Sequence, residues 1–147
     1  LRNAYIVQAN RVERDADGNI SIVYADLIPD TLGSDPADGV KAKGVIHWVC
    51  AKTASRASVR LYDRLFNHPS PDKGDLNFLD FINEESIGIH EEAMVEASLT
   101  QATPEQAFQF EREGYFVADR YDYSADNLVF NRVIGLRDTW QKIEEGV

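Results

Sequence analysis

The sequence is short of residues that staple or catalyse. Its 147 residues include a single cysteine, Cys50, so no intrachain disulfide can form. Cys50 lies in an apolar, strand-like run, and a lone thiol there points to a reduced, cytoplasmic setting. The three histidines, His47, His68 and His90, are far apart and show no metal-ligand spacing with Cys50, so no metal site is expected. No apolar run approaches the roughly 20 residues of a membrane helix. The longest, residues 44–51, has the length of a strand, and no membrane association is expected. An initiator methionine and a secretory signal are both missing, and Leu1-Arg2-Asn3-Ala4-Tyr5 runs straight into patterned sequence, which reads as a cut within a longer protein. Cations are scarce as well: 15 Lys and Arg face 25 Asp and Glu, for a net charge of −10. Taken alone, that balance argues against nucleic acid, although a local basic face can persist on an acidic body.

Short period-2 segments separated by Gly, Pro, Asp and Asn dominate the chain. Residues 5–12 and 20–27 flank Asp15-Ala16-Asp17-Gly18-Asn19, in which Asp-Gly is a strong hairpin signal. Residues 28–44 read as a loop. Residues 44–51 predict a strand buried on both faces, from their Val and Trp content. In residues 59–66, Val59, Leu61 and Leu65 share one side, with Arg60, Tyr62, Arg64 and Phe66 on the other. Further strands are predicted at 86–95, at 107–111 with 115–119 as a hairpin, and at 128–134. Pro104 limits any helix within 96–106 to a short one. Regular strands with turns between them give an all-β class, barrel or sandwich, in one domain or two small ones.

No Gly-rich phosphate cradle is present, and no Ser/His/Asp or Cys/His arrangement supports a nucleophile. Neither catalytic residues nor a cofactor are therefore assigned. The basic residues say more. Arg56, Arg60 and Arg64 recur every four residues, with Tyr62 between the latter two, a stripe that can follow a phosphate backbone. The competing reading is a solvent face whose arginines pair with the many carboxylates. Residues 107–116 place Phe108 and Phe110 on one face of a strand and Gln109 and Glu111 on the other, with Arg112 at the turn. Planar donors and an acceptor beside aromatic rings are what reading a splayed RNA base requires. A plain hairpin with a surface Glu/Arg cluster satisfies the same spacing.

Five blocks, in order, carry a resemblance: Leu1-Arg2-Asn3-Ala4-Tyr5, Lys43-Gly44-Val45-Ile46-His47-Trp48-Val49, Arg60-Leu61-Tyr62-Asp63-Arg64-Leu65-Phe66, residues 107–116, and Val129-Phe130-Asn131-Arg132-Val133-Ile134-Gly135-Leu136-Arg137-Asp138-Thr139-Trp140. Over essentially its whole length the chain resembles the C-terminal, anticodon-binding region of bacterial glutaminyl-tRNA synthetases. The resemblance implies two tandem six-stranded antiparallel β-barrels, related to a ribosomal protein that binds 5S RNA, with the opening strands of the first expected upstream of Leu1. It implies a monomer that grips the anticodon loop of tRNA-Gln, where the middle base is U. Gln109 and Arg112 fall on the family residues that approach that base, with Glu111 as an orienting partner. Arg2, Asn3 and Ala4 fall on a block associated with the first anticodon base. Arg60 and Arg64 are candidate phosphate contacts. ATP and Mg²⁺ belong to a catalytic domain expected upstream in the same polypeptide. Alternatives are the related glutamyl-tRNA synthetase and a stand-alone ribosomal-type RNA-binding protein.

Overall fold

The computed structural model describes residues 1–36, 39, 41–75 and 77–136. Within them the chain is all-β: seven strands in two sheets, with two short 3-10 turns at Phe78–Phe81 and Ala97–Gln101. It divides into two compact units, Leu1–Trp48 and Val49–Val147.

In the first unit, β1 (Val7–Arg14) pairs antiparallel with β2 (Ile20–Leu27). The Asp15 carboxylate makes the turn, accepting from the backbone N–H groups of Asp17 (3.0 Å) and Asn19 (2.8 Å), while Gly18 supplies the positive φ of 83°. Across the ribbon Arg11 is opposite Tyr24; its guanidinium lies 3.7 Å from the ring centroid and also meets Glu13 at 2.9 Å. Thr31 closes the open end, accepting from Ile6 N–H (2.9 Å) and donating to Ile28 C=O (2.7 Å).

The strand predicted at residues 44–51 is not formed. No ladder is assigned there, and Val45, Ile46 and Trp48 are exposed. Ile46 C=O accepts from Arg2 N–H at 2.8 Å, and Trp48 Nε1 donates to Arg2 C=O at 3.0 Å. Apolar content signals a wish for burial, whereas a strand needs a neighbouring strand for its backbone; among the described residues the segment has only the Arg2–Ile46 bond and the local turn bonds from Thr53 and Ala54 N–H to Cys50 C=O. Cys50 accordingly sits exposed beside a turn and not inside a strand.

The second unit carries a five-stranded sheet in the order β4-β3-β7-β6-β5, formed by β3 (Ser55–Tyr62), β4 (Ile87–Val95), β5 (Ala107–Phe110), β6 (Gly114–Ala118) and β7 (Leu128–Ile134). The β3–β7 pair is parallel and the others antiparallel. β3 begins earlier than its pattern suggested and stops at Tyr62; beyond it Asp63 N–H donates to Ser86 C=O at 2.8 Å, and the Asp63 carboxylate accepts from Arg64 N–H at 2.7 Å. Leu65 is thereby left exposed. Period-2 alternation aims Ala57, Val59, Phe116, Ala118, Leu128 and Phe130 at one core. Phe130 is fully buried at its centre, with Phe108, Phe110 and Tyr123 rings edge-on at 5.9, 5.4 and 5.6 Å. Edge-on pairs of this kind add about 0.5–1.5 kcal/mol each beyond the area they bury. Tyr123 keeps its hydroxyl satisfied by donating to Leu99 C=O at 2.6 Å.

Candidate nucleic-acid interface

The β5–β6 hairpin brings Gln109 and Arg112 to one end of the second unit. Phe108 and Phe110 turn inward, so Gln109 between them must face out, directly opposite Tyr115. The connection closes with Glu113 N–H donating to Phe110 C=O at 3.0 Å. Arg112 is the second central residue of that turn and has φ of 66°. Type II turns put Gly or Asn there; an arginine costs about 1–2 kcal/mol of backbone strain.

Gly114, which follows, is packed so closely that a Cβ would stand 2.4 Å from Ile134 C=O. The turn is therefore pinned against the end of β7. Arg112 itself is exposed, and among the described residues its side chain has no hydrogen-bond or ion-pair partner.

The other arginines contrast with it. Arg56 meets Glu92 at 2.9 Å, Arg120 lies 3.7 Å from Glu105, and Arg64 lies 3.9 Å from Asp63. Arg14 donates to Gly18 C=O at 2.7 Å. Arg60 is the most committed, donating to Asp119 Oδ2 at 3.1 Å and Asp122 Oδ2 at 2.6 Å. Asp119 also accepts from Asn131 Nδ2 at 2.6 Å and from the N–H groups of Tyr121 (2.9 Å) and Asp122 (2.8 Å). Tyr62 extends the chain by donating to Asn131 Oδ1 at 3.0 Å. The bond from Asn131, then that from Asp122 N–H, holds the Asp119 carboxyl below its ordinary pKa, with the Arg60 charge adding to them. The Asp122 hydrogen bond pushes the Arg60 guanidinium pKa up. This network ties β3, β7 and the end of β6 together across the outer face of the sheet.

Arg56 and Arg60 thus share a face of β3, whereas Arg64 falls beyond the strand. Arg64 lines a shallow concavity with Tyr62, Glu85 and Arg132. Among the described residues the Arg132 side chain has no hydrogen-bond or ion-pair partner, a feature its sequence position gave no means to see. Asp119 and Asp122, the partners that fix Arg60, carried only the weak signal of acids spaced to cap a turn. In the first unit, Arg2 and Asn3 are exposed and Ala4 is half-buried. Asn3 has φ of 54°, and Ala4 N–H donates to Leu1 C=O at 3.1 Å, which folds the block into a tight turn. Arg137, Asp138, Thr139 and Trp140 lie outside the described residues.

Residues 45–119 match the family of class I tRNA synthetases (E and Q), anti-codon binding domain. Across nearly the whole chain, close relatives are glutamine–tRNA ligases. That of Serratia proteamaculans is 56% identical over 143 residues, 97% of this chain and 26% of the relative. That of Alteromonas mediterranea is 57% identical over 146 residues, 99% of this chain and 26% of the relative. That of Escherichia coli O1:K1 / APEC is 53% identical over 145 residues, again 99% and 26%. The chain spans about a quarter of the length of these curated relatives. This all-β chain, whose exposed hairpin presents Gln109 and Arg112, belongs to the anticodon-binding domain family of the class I tRNA synthetases for glutamate and glutamine.

Proposed function

We propose that the chain reads the anticodon loop of tRNA-Gln as part of a glutamine–tRNA ligase working in the cytoplasm as a monomer. Gln109 and Arg112 are assigned to the middle anticodon base, and Arg2, Asn3 and Ala4 to the first. The observation that carries this reading is the state of Arg112: at positive φ, exposed and, among the described residues, without a partner, where Arg11, Arg56, Arg60, Arg64 and Arg120 all face carboxylates. Uracil offers two carbonyl acceptors around an N–H, a pattern that one guanidinium and one primary amide together complement. The names of the relatives favour the glutamine enzyme over the glutamate enzyme that the family description also covers. Glutamine activation with ATP and Mg²⁺ is assigned to a catalytic domain of the same polypeptide.

The test is Arg112→Ala and Arg112→Gly in the full-length ligase. Both should lose about 1–3 kcal/mol of discrimination for U at the middle base. Arg112→Gly should also unfold about 1 kcal/mol later than Arg112→Ala, because glycine accepts the positive φ. Undiminished preference for U in both variants would reject the assignment.

A further inference from the structure

We infer that Tyr115 is the stacking platform for the base whose edge Gln109 and Arg112 read, an assignment that rests on the function proposed above. The register of the hairpin sets Gln109 opposite Tyr115, and Tyr115 in turn opposite Ile134 on β7. All three therefore share the outer face, away from the Phe108, Phe110, Phe116 and Phe130 core. Phe116, one residue on, is 2% exposed; Tyr115 is 47% exposed, and Ile134 is 61% exposed. A ring kept for packing would be covered as Phe116 is.

Among the described residues the Tyr115 hydroxyl also has no partner, unlike those of Tyr24, Tyr62 and Tyr123, each of which donates a hydrogen bond. The register between β6 and β7 slips after Tyr115, a bulge that adds Val133 to β7 and leaves it and Ile134 exposed beside the ring. The result is a flat aromatic surface with an aliphatic border.

Directly opposed side chains on antiparallel strands stand about 5 Å apart at Cβ. A base lying on the Tyr115 ring thus has its edge within reach of the Gln109 amide. The Arg112 guanidinium, rooted three residues from Tyr115 at the turn, can close on the same edge. Stacking holds any base and the edge contacts choose among bases, so removing the ring should weaken affinity without relaxing selectivity. Arginine removal should do the reverse. Tyr62 and Tyr121 are also exposed, but the Tyr62 hydroxyl belongs to the Asn131 network and Tyr121 lies in the β6–β7 connection, away from the reading residues.

The test uses the full-length ligase and tRNA-Gln carrying 5-iodouridine at the middle anticodon position, which keeps the base-pairing edge and photocrosslinks to a stacked aromatic ring. The expected adduct maps to Tyr115. Tyr115→Ala should weaken tRNA binding roughly 5- to 150-fold at unchanged preference for U, and Tyr115→Phe should bind within about twofold of the parent. A crosslink at another residue, with Tyr115→Ala binding as the parent does, overturns the stacking assignment, while Arg112→Ala can still report middle-base reading. Absence of any effect from both Tyr115→Ala and Arg112→Ala overturns the two assignments together.

Discussion

Replacing Asp119 by Ala tests the network that clamps the outer face. The carboxylate accepts four hydrogen bonds, from Arg60, Asn131, and the N–H groups of Tyr121 and Asp122. Its side chain is 13% exposed and that of Arg60 is 24% exposed. Hydrogen bonds to an ionised group contribute about 1.5–3 kcal/mol each, but water can reach Arg60 and part of the loss would be made good. Breaking a fully buried pair costs about 3–5 kcal/mol, and this half-open one should cost about 3 kcal/mol. The assay is urea unfolding at neutral pH, repeated in an Arg60→Ala background, where the same Asp119→Ala change should cost about 1 kcal/mol less.

Because the folded carboxyl is held below its unfolded pKa of about 3.9, its stabilisation is present above that pH and is lost as pH falls through the depressed value. The gap between parent and Asp119→Ala should therefore close in acid. A gap under about 0.5 kcal/mol at neutral pH, or one that widens in acid, would refute the reasoning.

Two further outcomes follow from the geometry. Gly114→Ala places a methyl 2.4 Å from Ile134 C=O and should destabilise by about 2–3 kcal/mol, whereas Gly18→Ala, with open space around it and φ of 83°, should cost only about 1 kcal/mol; urea midpoints of the two variants decide. Arg60→Ala should lower stability by about 2 kcal/mol, while Arg64→Ala should leave it unchanged and, if Arg64 meets phosphate, reduce the salt dependence of tRNA binding by about one ion, as read from a salt titration.

Local chemistry made some elements legible. The Asp15–Asn19 turn, β2 at Ile20–Leu27, the outward Gln109 and β7 at Leu128–Ile134 all stand where the pattern put them. Where the pattern failed, as at residues 44–51 and at the ends of β3, the missing quantity was the identity of the neighbouring strand. The Arg56, Arg60 and Arg64 stripe shows the same gap. Its spacing fits a phosphate track and a paired solvent face equally well, and only the fold brings Asp119 and Asp122 to Arg60.

The sequence by itself determined the all-β class, the inward aromatics and the position of the β5–β6 hairpin, since alternation and turn chemistry act between residues a few places apart. Tertiary structure alone decided which arginines are spent. Arg60 meets acids 59 and 62 residues away, and Arg112 meets none among the described residues, because that outcome depends on which distant carboxylates the sheet carries to each guanidinium.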